Sequence, residues 1–85
     1  MECSYKTKGT CSRKIDFEIN GDKLGKVRFL GGCHGNLQGI AKLVEGMAID
    51  DVITRLENIK CGDKATSCPD QLAKALKEAK DNIEA

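Results

Sequence analysis

The sequence has no tryptophan, and only one tyrosine, two phenylalanines, one proline and one histidine among its 85 residues. So few aromatics exclude a stacking platform for single-stranded nucleic acid and leave leucine, isoleucine and valine to build the core. Charge of one sign is also missing: the formal net charge is +1, with acids and bases interspersed. That balance excludes the concentrated basic surface that phosphate-backbone binding requires, so nucleic acid is not expected as a direct partner. There is no apolar run long enough to span a bilayer, and the opening Met1-Glu2-Cys3-Ser4-Tyr5-Lys6 contains no signal-peptide core. A cytoplasmic protein without membrane association is expected. In that compartment five cysteines, an odd number, do not make a disulfide framework. Gly31-Gly32 is not followed by the G-x-G-x-x-G pattern, so no nucleotide fingerprint is present.

What remains points to one domain, residues 1–85, of the α+β class. Cys3, Tyr5 and Thr7 alternate with polar neighbours as a short opening strand. Lys14–Ile19 alternates strictly, with Ile15, Phe17 and Ile19 on one face. Asn20-Gly21-Asp22 is a hairpin signal, and Lys26–Leu30 returns with Val27 and Phe29 inward. Three helical stripes follow. Leu37, Ile40, Ala41 and Val44 form the first, with Asn36 as its cap and Gly46 as its stop. Ile49, Val52, Ile53 and Leu56 form the second, with Asp50 and Asp51 complementing the dipole of its first turn. Leu72, Ala75, Leu76, Ala79 and Ile83 form the third, opening with Pro69 at its first position and with a charged tail from Lys77 expected to fray. The architecture expected is a small antiparallel sheet of about three strands covered on one face by three helices.

A domain of this size has a thin core that a metal or a partner would support, and the cysteines suggest how. Cys33 and Cys68 each stand immediately before a predicted helix, where unpaired N–H groups and the helix dipole favour a thiolate. Cys11 and Cys61 lie in short polar turns. Between the four lie 21, 27 and 6 residues, with no C-x-x-C pair, so position rather than spacing points to metal. In a sheet-plus-helices frame, the loop with Cys11, the end of the third strand and the start of the last helix can meet at one end. Cys3, in an edge strand, reads as a bystander, and His34 as a solvent-facing side chain. Thr66 and Ser67 read as capping or turn residues, and Asp70 as a first-turn carboxylate rather than a catalytic acid.

Thr66-Ser67-Cys68-Pro69-Asp70 spells the signature of a family, and the chain resembles a small stand-alone TSCPD-domain protein. Gly31-Gly32-Cys33, Gly35-Asn36-Leu37, Gly39-Ile40 and Cys61-Gly62 match the same family. The resemblance implies that Cys11, Cys33, Cys61 and Cys68 hold zinc or an iron–sulfur cluster. It also implies kinship with ribonucleoside-diphosphate reductases, some of which carry this domain at the C-terminus. A more distant resemblance is to U-type iron–sulfur cluster scaffold proteins, whose fold the element order is similar to and whose cluster cysteines correspond to Cys11, Cys33 and Cys68. Those scaffolds place an aspartate where this chain has Arg13 and a histidine where it has Ser67. Here Cys61 stands as a fourth sulfur, implying a more closed and static site.

Three functions follow as expectations. The first is a four-thiolate site for zinc or an iron–sulfur cluster, in an accessory or relative of ribonucleoside-diphosphate reductase whose partner is that reductase or another redox protein. As an accessory it would supply thiols for deoxyribonucleotide synthesis, with Cys61 and Cys68 as the pair, and would not be a complete reductase. The second is a cluster scaffold or carrier. The third is a non-catalytic interaction module with inert cysteines.

Overall fold

The computed structural model describes residues 2–7, 12–31, 34–60 and 62–84. Three strands, β1 (Glu2–Lys6), β2 (Ser12–Asn20) and β3 (Lys23–Gly31), precede three helices, α1 (His34–Val44), α2 (Ile49–Leu56) and α3 (Cys68–Glu84). The sheet is an antiparallel meander in the order β1-β2-β3. This is the α+β arrangement that the alternating first half and the helical second half require.

Register decides which side chains share a face. Cys3, Phe17 and Val27 form one inward row, and Tyr5, Ile15 and Phe29 the next, while Ser4, Asp16 and Arg28 line the opposite face. The helices cover the inward rows. Ile15, Phe17, Ile19 and Leu24 join Val44 of α1, Ile49, Val52 and Ile53 of α2, and Leu72, Ala75, Leu76 and Ala79 of α3 in one buried cluster. Each buried valine, leucine, isoleucine and phenylalanine of this cluster contributes roughly 1.5–3 kcal/mol of transfer free energy, set against chain entropy.

The hairpin turns through Gly21-Asp22, with Asn20 opposite Lys23 and Gly21 at φ +63°. The register then slips between Phe17 and Ile19, which puts one extra residue on β3 between Leu24 and Val27. Such a bulge breaks the two-residue alternation, so Leu24 and Val27 both reach the core although three positions separate them. Gly25 sits in this bulge, where an added Cβ would lie 2.7 Å from Glu18 Oε1 and 3.2 Å from Glu18 Cβ. A side chain there would press on Glu18 and Asn20, whose own side chains would have to shift.

The α1–α2 connection is tied to the sheet. Gly46 takes φ +87° and donates its N–H to the Leu24 carbonyl at 2.6 Å, the Leu24 N–H donates to Met47 at 2.8 Å, and the Ile49 N–H donates to Asp22 at 2.9 Å. Gly46 thus stops α1 as its sequence predicts and also lets the following residues pair with the start of β3.

β2 and β3 run longer at both ends than the expected Lys14–Ile19 and Lys26–Leu30, and three features of the helix ends differ from the expected ones. Asn36 does not cap α1, which starts at His34 and takes Asn36 into its first turn. Pro69 is the second rather than the first helical residue, because α3 starts at Cys68. An N–H at either position has no intrahelical partner, so proline fits both. Finally, α3 does not fray from Lys77 but runs to Glu84. Lys77 bonds Glu57 at 2.5 Å and Lys80 bonds Asp50, so the charged stretch is laced to α2. No helix among the described residues is long and apolar enough to cross a membrane.

Candidate functional site

The signature pentapeptide forms the start of α3. Ser67 stands just before the helix, and its Oγ accepts the Asp70 N–H at 3.2 Å, satisfying one of the four first-turn donors that a helix leaves unpaired. The Ser67 carbonyl takes the Gln71 N–H at 2.9 Å and closes the first turn. In the usual capping box the third helical residue reaches back to the cap's own N–H. Asp70 does something else.

Asp70 is 2% exposed, and its two oxygens face different stretches of chain. Oδ1 accepts the Asn58 N–H at 2.7 Å, just beyond the end of α2. Oδ2 accepts the Thr66 hydroxyl and lies 3.2 Å from Lys74 Nζ, one turn along α3. Thr66 Oγ1, having donated its proton to Asp70, accepts from Gln71 Nε2 at 3.0 Å. Thr66, Ser67, Asp70 and Gln71 are all buried, and no buried side-chain nitrogen or oxygen among the described residues lacks a hydrogen bond. Asn58 enters this arrangement with φ +66°, a left-handed conformation that asparagine tolerates better than most residues. One carboxylate therefore clamps both ends of the segment 58–66, the segment whose sequence contains Cys61.

Burial pushes the Asp70 carboxyl upward, but the Thr66 hydroxyl, the Asn58 N–H and the Lys74 ammonium outweigh it and hold the group below its ordinary 3.8. The carboxylate is the working form of this clamp. Its role is structural, as expected for a first-turn acid, and extends further than the helix dipole alone would suggest.

Cys68 occupies the first helical position, half-buried, between the Ser67 cap and Pro69. Cys11, Cys33 and Cys61 lie outside the described residues, as do Gly32 and the His34 side chain. Their described chain neighbours supply one relation. Ser12, next after Cys11, pairs with Gly31, two before Cys33, so both segments leave the sheet at the same end of β2 and β3. Gly31 takes φ +88° there, and the Thr7 N–H donates to Arg13 at 3.2 Å. Cys3, the expected bystander, sits half-buried in β1. Among the described residues no group of three or more His, Cys, Asp and Glu side chains is placed to hold a metal ion.

These features agree with a comparison to known families: the TSCPD-domain model matches residues 3–80. The chain belongs to the TSCPD-domain family. No curated protein and no solved structure matches it. The TSCPD motif thus has a physical meaning in this fold. Serine caps α3, proline occupies a position needing no N–H, and aspartate, through threonine and Asn58, fixes the connection from α2. Sequence reasoning missed Asn58 and Gln71, since neither carries a local signal. Their partners are 12 and 5 positions away, respectively.

Proposed function

We propose that this TSCPD-domain protein is a small thiolate-site protein in which Cys11, Cys33, Cys61 and Cys68 hold zinc or an iron–sulfur cluster, and that it acts as an accessory or relative of ribonucleoside-diphosphate reductase in deoxyribonucleotide synthesis. The observation that carries the reading is the start of α3, where a buried network of four polar side chains fixes the turn in which half-buried Cys68 stands. Two further placements support it. The clamp on residues 58–66 ties the stretch containing Cys61 to the helix that begins with Cys68. The Ser12–Gly31 pair sends the stretches containing Cys11 and Cys33 off one end of the sheet.

Four sulfur donors suit tetrahedral zinc or an iron–sulfur cluster, and such a centre adds folding free energy to a domain with a thin core. This chain's own residues set the frame: Ser67 and Asp70 order the first turn of α3, and the Ser12–Gly31 pair closes the end of β2 and β3. A static centre is favoured over cluster transfer. At the position where U-type scaffolds carry histidine, Ser67 commits its hydroxyl to capping α3.

Elemental analysis with a visible spectrum, on protein purified without oxygen or affinity-metal contact, tests the proposal. About one centre per chain is expected, brown if iron and colourless if zinc, and lost in Cys33→Ser and Cys68→Ser. A full set of titratable thiols with no metal at any stage would overturn it. The isolated chain is expected to show no ribonucleotide turnover, and the reductase link is checked by its effect on the rate of a reductase added to it.

A further inference from the structure

The sheet has two outer edges, and they differ. On the outer side of β3, pairing among the described residues is with the α1–α2 connection, through Lys23 and Leu24. Beyond the bulge, the stretch from Lys26 to Gly31 forms one wall of a groove whose other wall is α1. Val27 and Phe29, only partly buried, and Ala41 give this groove an apolar floor. Lys42 of α1 lines it, and Lys26 and Arg28 add positive charge on the open face of the same stretch of β3, where Asp16 stands opposite Arg28; among the described lining residues Glu45 is the one acid.

We propose that this edge of β3 is a docking edge for an extended, acidic segment of another protein, added to the sheet as a further strand. Strand addition supplies affinity through main-chain hydrogen bonds and specificity through alternate side chains. The alternation on β3 states what the guest must carry. Val27 and Phe29 face the helix side, while Arg28 shares the open face with Ser4 and Asp16. A guest strand with apolar residues at every second position and glutamate or aspartate between them meets apolar surface on one face and guanidinium and ammonium groups on the other.

The charge also disfavours the other obvious guest. A second copy pairing β3 against β3 sets Lys26 and Arg28 beside the same cations of its partner, and like charges directly across strands repel. The edge of β1 carries no such preference, since its open-face residues are Glu2, Ser4 and Lys6. Gly31, a lining residue of the groove, stands two positions before Cys33 in the sequence. The docking proposal stands whether or not the candidate thiolate site holds metal.

The test uses the full chain and a fluorescein-labelled peptide in which glutamate and valine alternate, with a lysine–valine peptide as control. Saturable binding of the glutamate peptide is expected, weakening as salt rises, with slowed amide exchange confined to residues 26–31. The double variant Lys26→Glu, Arg28→Glu, checked for retained fold by circular dichroism, is expected to bind it at least about tenfold more weakly. Absence of binding, equal binding of the lysine peptide, protection along β1, or a concentration-dependent dimer protected at residues 26–31 would each overturn the proposal. The last would assign the edge to a second copy.

Discussion

Asp70 and Asp16 show how differently two carboxylates are used. Asp16 lies on the open face of the sheet, where the Ser4 hydroxyl at 2.5 Å, then Lys14 and Arg28, hold its carboxyl below the ordinary range. Water competes for every one of those contacts, and surface pairs of this kind contribute little. Asp70, 2% exposed, makes its bonds where water competes far less. Replacing it with asparagine keeps the shape but removes the charge that Thr66, Asn58 and Lys74 address. Asp70→Asn is expected to cost about 1–3 kcal/mol in urea unfolding, and Ser67→Ala about 1 kcal/mol through loss of the cap. The pH dependence follows from the direction of the shift. The folded-state value of Asp70 lies below 3.8, so its contribution is complete above that value and is lost as pH falls through the lower, folded-state one. Wild type should therefore lose stability below about pH 4, with a limb that Asp70→Asn flattens. An unchanged acid limb in that variant would remove the carboxylate from this role.

At the scale of elements, β3 is where periodicity and structure part company. Alternation over Lys26–Leu30 places Val27 and Phe29 correctly, yet Leu24, 1% exposed, falls out of phase and escapes notice. The reason is the bulge at Gly25: an extra residue reverses the phase on its far side, and no local pattern announces it. Helical stripes were easier to read, because Val52, Ile53, Leu72, Ala75 and Leu76 repeat without interruption. Leu24→Ala is expected to cost about 2–5 kcal/mol. Leu43→Ala, at a position 77% exposed on α1, should stay within about 0.5 kcal/mol. Chemical denaturation of the two variants side by side measures the contrast. Between helices, the Lys77–Glu57 and Lys80–Asp50 pairs align α3 with α2. Their exposure keeps each at about 1 kcal/mol or less, so the buried apolar residues of α2 and α3, Ile53 and Leu76 among them, hold that interface.

Over the whole molecule, the class of fold was legible because two periods divide the chain: period two before Gly31, broken in phase by the bulge at Gly25, and period 3.6 after it. The candidate site was legible to a lesser depth. Cysteine at the head of a helix can be read from Ser67-Cys68-Pro69-Asp70, since cap and proline signals are local. The contact of Asp70 with Asn58 could not be read so, because it depends on how α2 and α3 are packed. The proposed metal centre gives a molecular-scale prediction. Removal of metal by a chelator under reducing conditions should lower the melting temperature by several degrees or more, and readdition of the same metal should restore it. Equal melting temperatures with and without chelator would separate the family from the chemistry proposed for it.

The clamp on residues 58–66 has one more consequence. Gly62, Asp63, Lys64 and Ala65 are exposed, while the bonds that hold the two sides of this excursion sit at its base. A backbone cut placed there would leave the last helix seated, because its attachment runs through noncovalent contacts on both sides of the scission. Two separately made pieces, residues 1–63 and 64–85, should therefore reassociate into a native-like complex. Asp70→Asn in the shorter piece should weaken that reassembly.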